Sequence, residues 1–194
     1  CGPRAWHSAA YDAAREEVVL FGGKRGVSKL DRGWSDTWIW NGKRWARRGR
    51  LGGPTARSSH AMAYDPSRER VVVFGGSLGG RPLADTWEWD GLAWTKPVLA
   101  RSPSKRYEPA LAYFPALRGL VLFGGHDGKS CLDDLWLYRE GAWSELEVAG
   151  LRPSPRKASG YALDPTSERL LLIGGQNSSL RSRYSNELWE LMPR

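Results

Sequence analysis

Short apolar runs alternate with turn residues along the whole chain, and each run has the length of a strand rather than a helix. Four of the runs share one form, a consecutive apolar stretch that ends in a glycine pair: Gly22-Gly23, Gly75-Gly76, Gly124-Gly125 and Gly174-Gly175. A strand that is apolar at consecutive positions is covered on both faces. A glycine after such a strand marks backbone that needs a positive φ or a close approach. The pattern therefore predicts four buried strands, each followed by a tight turn.

The glycine pairs recur with a nearly constant period. Their first glycines stand at positions 22, 75, 124 and 174, so they are separated by 53, 49 and 50 residues. Fifteen residues separate His7, His60, Pro109 and Ser159 from the following pair, while the distance from the pair to the next motif tryptophan varies between 12 and 16. A period near 50 is typical of four-stranded propeller blades. We expect a single domain with repeats at about 2–50, 51–101, 102–150 and 151–194.

Each repeat contains signals for four strands, which we call a to d. Strand a, such as His7 to Tyr11, is rich in small residues that suit a crowded central channel, and strand b is the apolar run. Strand c alternates, as in Trp38-Ile39-Trp40. Tight turns then lead into strand d, which carries a tryptophan seven residues after that of strand c: Trp45, Trp94 and Trp143.

The glycine pairs and the spaced tryptophans resemble the kelch-repeat family over essentially the whole chain. Tyr64-Asp65-Pro66 followed by Arg70-Val71-Val72-Val73-Phe74 looks most like bacterial members. The resemblance implies an all-β fold, a β-propeller made of four kelch blades. The departures are mild: the third and fourth repeats lack the strand-a histidine, and Ile173 replaces the phenylalanine of the other repeats.

The fourth repeat lacks the signal for strand d, because the sequence after Leu191 is only Met192-Pro193-Arg194. Propellers usually complete one blade from both chain ends, which removes exposed sheet edges. Three alternatives are open at this point. The chain is a piece of a larger propeller, it is completed by a second chain as a homodimer, or a four-bladed ring tolerates one three-stranded blade.

Charge is divided unequally between the two faces that the predicted loops define. The chain has 194 residues, 23 glycines, 11 tryptophans and a net charge of +8. The a–b and c–d turns on one face carry eight basic and nine acidic residues, whereas the d–a and b–c connections on the other face carry twenty basic and ten acidic ones. The basic face also bears the variable loops, which often mark the binding side of a repeat protein.

We therefore expect the chain to be a non-catalytic scaffold that binds a protein, an acidic polymer or an anionic glycan through its basic face. A nucleic acid is disfavoured because no nucleic-acid-binding motif is present. Arg4, Arg57, Arg106 and Arg156 occur once per repeat, and we expect them to brace strand a against the next blade. The candidate binding residues lie in the b–c loops, where an arginine beside an aromatic ring could hold a carboxylate: Lys24, Arg25, Arg32, Trp34, Arg81, His126, Arg181, Arg183 and Tyr184.

Candidate chemistry is sparse. His7 and His60 share one repeat position, which favours a structural role, and His126-Asp127 alone is a weak signal for a metal or an acid–base pair. We therefore expect no cofactor and no enzyme activity. The alternative is that the chain forms part of a carbohydrate-active or oxidising propeller enzyme. No apolar run approaches the roughly 20 residues of a membrane-spanning helix.

Overall fold

The computed structural model describes residues 1–26, 33–49, 52–177 and 184–192. Within these ranges the regular secondary structure is almost entirely β-strand, arranged in three four-stranded sheets, one three-stranded sheet and a short two-stranded hairpin. One 3-10 turn, Pro115–Leu117, is the exception. Arg25, Trp34, Arg81, His126 and Tyr184 are among the described residues, whereas Arg32, Arg181 and Arg183 lie outside them.

Each large sheet is one antiparallel blade whose strands follow the predicted order a-b-c-d. The strands of the first blade are β1 Ser8–Asp12, β2 Glu17–Phe21, β3 Thr37–Trp40 and β4 Trp45–Arg48. Those of the second are β5 Ala61–Asp65, β6 Arg70–Phe74, β9 Thr86–Trp89 and β10 Trp94–Thr95, with the hairpin β7 Ser77–Leu78 and β8 Arg81–Pro82 inserted in its b–c loop. The third has β11 Ala110–Phe114, β12 Gly119–Phe123, β13 Leu135–Arg139 and β14 Ala142–Glu145, and the fourth has β15 Gly160–Asp164, β16 Arg169–Ile173 and β17 Leu188–Leu191.

The register is the same in every blade. The last residue of strand b faces the first residue of strand a, as in Phe74 opposite Ala61 and Phe123 opposite Ala110. The four-stranded antiparallel sheets confirm the predicted all-β fold class, and the fourth sheet has three strands among the described residues, as the sequence indicated.

The core consists of layers between consecutive blades. The inner strands β1, β5, β11 and β15 pack side by side. Strand b of the second and third blades contributes apolar side chains to the layers on both its faces, whereas strand b of the first and fourth blades contributes to one layer. Two tryptophans of strand d tie neighbouring blades together. The indole N–H of Trp94 donates to Thr37 Oγ1 in the first blade at 2.8 Å, and that of Trp143 donates to Thr86 Oγ1 in the second blade at 2.9 Å.

The two outermost blades expose the positions that the middle blades bury. Tyr11 of the first blade is 56% exposed and Ile173 of the fourth is 50% exposed. Phe74 and Phe123, which correspond to Ile173, are buried between blades. The outward faces of the first and fourth blades are therefore apolar, like the faces that pack against a neighbouring blade in the middle of the chain.

The glycine pair has a physical reason that is clearest at Gly75. This residue has a φ of +63°, and a Cβ atom there would lie 2.5 Å from the carbonyl oxygen of Arg106 in the next repeat. Any side chain would therefore separate two blades.

Among the described residues no helix is long and apolar enough to cross a membrane. Cys1 is exposed, Cys131 is buried, and neither is in a disulfide.

Candidate functional site

The recurring arginines hold each blade together at the end where strand a begins. The guanidinium of Arg57 donates to both carboxylate oxygens of Asp85, at 2.8 and 2.7 Å, and to the carbonyl oxygen of Gly75 at 2.9 Å. Burial opposes ionisation of Asp85, but the hydrogen bonds and charge of Arg57, with the indole N–H of Trp87, outweigh it and lower the pKa of this carboxyl. The same clamp forms in the other repeats between Arg4 and Asp36, Arg106 and Asp134, and Arg156 and Glu187.

The role of these arginines is structural, but the partner differs from the predicted one. Each guanidinium binds within its own repeat, while the backbone of the same residue reaches the preceding blade: the N–H of Gly23 donates to the carbonyl oxygen of Arg57 at 2.9 Å. Sequence spacing alone could not separate these two arrangements, because both bring the arginine to the same edge.

Two residues after each arginine the backbone makes an unusual turn. Trp6, Ser59, Glu108 and Ala158 all have φ values between 53° and 55°, in the left-handed region that residues other than glycine rarely adopt. Backbone hydrogen bonds connect them in a row, since the N–H of each of the last three donates to the carbonyl oxygen of the one before at 2.8 to 2.9 Å. We call these four residues the inner rim. These hydrogen bonds hold the four residues in a backbone conformation that is otherwise unfavourable in free energy. Residues held in such conformations cluster at functional sites.

The d–a and b–c segments meet beside the inner rim. Isolated β-bridges pair Ala5 with Lys24, Ser58 with Ser77, Tyr107 with His126, and Lys157 with Gln176. A cavity of about 360 Å³ lies between the first three of these paired segments. Its lining includes inner-rim residues, serines, glycines and two larger side chains: Trp6, Ser59, Glu108, Ser58, Ser77, Gly79, Gly80, Gly128, Lys24 and Tyr107. We call this cavity and its lining the mouth site.

Two lysine ammonium groups lie over aromatic rings at the mouth site. Lys24 Nζ is 4.8 Å from the ring centroid of Trp6, and Lys157 Nζ is 5.3 Å from that of Tyr107. Such contacts attract the cation to the ring face and fix the side chain. Lys157 Nζ also lies 2.8 Å from Glu108 Oε2. Burial opposes the charge of Lys157, but the hydrogen bond and negative charge of Glu108 outweigh it and raise its pKa, so the ammonium persists at neutral pH.

His126 extends this cluster without forming a catalytic pair. Its ring stacks on Tyr107 with centroids 5.1 Å apart, and its Nδ1 accepts the backbone N–H of Gly128 at 2.9 Å. Burial and the nearby charge of Lys157 lower the pKa of His126, which keeps the ring neutral at pH 7. Asp127 turns away into its own loop, where it accepts two backbone N–H groups at 2.7 Å. In the described ranges no group of three or more His, Cys, Asp and Glu side chains could hold a metal ion.

The structure brings some of the predicted binding residues together and separates others. Lys24 lines the mouth site, His126 stacks on its lining residue Tyr107, and the exposed Arg81 follows the lining glycines Gly79 and Gly80. Arg25 is exposed next to Lys24. The exposed Tyr184 is bridged to Gln176 in the fourth repeat.

Trp34 has a packing role that sequence reasoning did not anticipate. The guanidinium of Arg4 stacks on its ring at 4.2 Å, in a separate open cavity at the first blade. The backbone N–H of Trp34 donates to the carbonyl oxygen of Gly23, and the carbonyl oxygen of Trp34 accepts the N–H of Arg57. Leu83 and Leu132 make the equivalent backbone hydrogen bonds in the second and third repeats. Conversely, Trp6, Tyr107, Glu108 and Lys157 were missed. The sequence feature that could have indicated these residues is their position, one or two residues after the recurring arginine.

Comparison with known families agrees with this architecture. The Kelch-repeats domain model described for KLHDC2, KLHL20 and DRC7 matches residues 1–139 and residues 37–194, two overlapping matches that together span the chain. A search of curated proteins finds no match. Blades with repeated glycine pairs and interlocking tryptophans, matched along the full length, show that the chain belongs to the kelch-repeat family, whose repeats generally mediate protein–protein interactions.

Proposed function

We propose that this chain is a non-catalytic binding module that takes an acidic segment of a partner protein into the mouth site. Kelch-repeat domains are typically interaction modules. The observation that carries the proposal is the pair of ring-held ammonium groups, Lys24 over Trp6 and Lys157 over Tyr107, beside one cavity.

The chemistry of the mouth site favours carboxylates. An ammonium group presents three N–H donors and no acceptor, and serine hydroxyls of the lining can also donate. Glu108 already shows where a carboxylate fits, because its Oε2 lies 2.8 Å from Lys157 Nζ. A partner's glutamate or aspartate would bind the lysines in the same way. Trp6, which is 42% exposed, offers a ring face to the stem of an incoming side chain.

An anionic glycan is the second candidate. The exposed ring of Trp6 beside Lys24 also suits a sugar ring that carries a carboxylate. Membership of the kelch-repeat family favours the protein partner, because kelch repeats generally mediate protein–protein interactions. A binding assay with both classes of probe separates them.

The test measures fluorescence anisotropy of a labelled hexaglutamate peptide and of a labelled uronic-acid hexasaccharide. The Lys24→Glu/Lys157→Glu variant should weaken peptide binding at least tenfold, since two attractive charges become repulsive. The matched control is Lys96→Glu/Lys105→Glu, which changes the net charge equally at exposed positions of the d–a connection between the second and third blades. Equal losses in both variants would show unspecific charge attraction, and preference for the saccharide would favour the second candidate.

A further inference from the structure

Glu108 contributes a carboxylate to the lining of the mouth site. Its Oε2 lies 2.8 Å from Lys157 Nζ, and both side chains are partly exposed, Glu108 by 24% and Lys157 by 18%. Lys157 is also the ammonium that lies over the ring of Tyr107. One of the two lysines that the proposed function assigns to a partner's carboxylate is therefore already paired with a carboxylate of the chain itself.

The inner rim uses the backbone of Glu108, not its side chain. The N–H of Glu108 donates to the carbonyl oxygen of Ser59 at 2.8 Å, and its own carbonyl oxygen accepts the N–H of Ala158 at 2.9 Å. Ser59 and Ala158 have the same left-handed φ, 55° and 53°, without a charged side chain. This region favours glycine, asparagine and aspartate over glutamate. The carboxylate of Glu108 therefore acts on the site and not on the backbone turn.

The pair of Glu108 and Lys157 is also separate from the repeat architecture. Both positions recur in every repeat, two residues and one residue after the recurring arginine, but only here do they hold a carboxylate and an ammonium. The counterparts of Glu108 are Trp6, Ser59 and Ala158, and those of Lys157 are Ala5, Ser58 and Tyr107. The arginine clamp, in contrast, has a carboxylate partner in all four repeats. The blades are thus built without this pair.

We propose that Glu108 is an internal ligand of the mouth site, which a partner's carboxylate must displace from Lys157. This inference rests on the proposed function and names the residue that sets its affinity. Partly exposed ion pairs contribute little to stability, so the pair can open while the fold stays intact. The apparent affinity for the partner is then the intrinsic affinity multiplied by the fraction of molecules in which the pair is open.

The exchange also selects among anionic ligands. A single carboxylate that replaces Glu108 at Lys157 makes the same contact and gains nothing. A segment that also reaches Lys24 or the exposed ring of Trp6 adds contacts that compensate for the displaced pair. Only a segment that brings such additional contacts binds with a net gain in free energy.

The first test measures the affinity of labelled hexaglutamate for the intact chain by fluorescence anisotropy. Glu108→Gln keeps the size of the side chain but removes the competing charge, and it should bind the peptide about threefold more tightly than the wild type. Glu108→Ser copies the residue found at Ser59 and should show the same gain, and melting curves check the fold of both variants. The matched control is Glu147→Gln, which changes the net charge equally at an exposed position between the third and fourth blades. An equal gain in the control would show general charge attraction and overturn the inference.

The second test observes the displacement itself. In a chain with ¹³C-labelled glutamate, the carboxyl signal of Glu108 is assigned by its loss in Glu108→Gln, and Lys157→Met gives the position of that signal without the ion pair. Saturation of the wild type with unlabelled hexaglutamate should move the signal toward the Lys157→Met position. Binding of the peptide with no movement of this signal would overturn the inference and leave the proposed function standing. Absence of binding in the wild type and in Glu108→Gln would overturn both.

Discussion

His60 should make the folded chain sensitive to mild acid. The residue is buried at the start of the second inner strand, its ring meets Phe21 edge-on with centroids 5.5 Å apart, and neither ring nitrogen has a hydrogen-bond partner among the described residues. Burial, helped by the charge of Arg57, lowers the pKa of His60 from 6.5 to about 3. Between pH 6.5 and about pH 3 the folded state therefore keeps the His60 ring neutral, whereas the unfolded chain protonates it.

The sign and size of the effect follow from this difference. Between pH 6.5 and pH 3 the unfolded state binds one more proton at this site than the folded state, so stability falls as the pH falls. The slope is about 1.4 kcal/mol per pH unit. Between pH 7.5 and pH 5 the loss due to His60 is about 2 kcal/mol.

Chemical denaturation at pH 7.5 and pH 5 measures this loss. The variant His60→Leu should lack most of it, and at pH 7.5 it should be at least as stable as the wild type because it removes two unsatisfied nitrogens. His7→Leu is the matched control, since His7 has the same repeat position but is exposed and should leave most of the loss in place. If the wild type and His60→Leu lose the same free energy of unfolding, the buried neutral histidine is not the cause and the reasoning fails.

Two further predictions concern the contacts between blades. Thr86→Val removes the acceptor of the buried indole N–H of Trp143 and should lower the free energy of unfolding by about 1–3 kcal/mol, measured by urea denaturation. Gly75→Ala should destabilise the chain by about 1–3 kcal/mol more than Gly42→Ala in the same assay, because its Cβ would clash with the carbonyl of Arg106 while that of Gly42 meets nothing within 4 Å. Similar losses for the two alanine variants would mean that positive φ, and not the close approach of two blades, explains the glycine pair.

The blades could be predicted from the sequence because each strand leaves a local signal. Consecutive apolar residues ending at Phe74 identified strand b, and tryptophans seven residues apart identified strands c and d. The boundaries differ by one residue, so that strand a of the first repeat begins at Ser8 instead of His7. The hairpin of β7 and β8 gave no such signal, since its strands have two residues each and depend on a bridge from Ser77 to Ser58.

The candidate site could be predicted only as a face of the molecule. Lys24 and His126 were found because they lie in b–c loops, but their ring partners Trp6 and Tyr107 lie in the d–a segments, 18 and 19 residues earlier in the sequence. A residue in the left-handed region, such as Glu108, has no sequence signature when it is not a glycine. Hydrogen bonds from the neighbouring blades hold it there, and these form only in the folded chain.

The central claim is that acidic segments enter the mouth site, and an NMR titration with hexaglutamate tests it most directly. Trp6 belongs to the lining of that site, whereas the indole N–H groups of Trp94 and Trp143 are buried between blades and hydrogen-bonded. The account predicts that the signals of the Trp6 indole and of the Ser59 and Tyr107 amides shift with increasing peptide while those of the two buried indoles stay in place. Shifts confined to the opposite face, or no saturable shift at the inner rim, would contradict it.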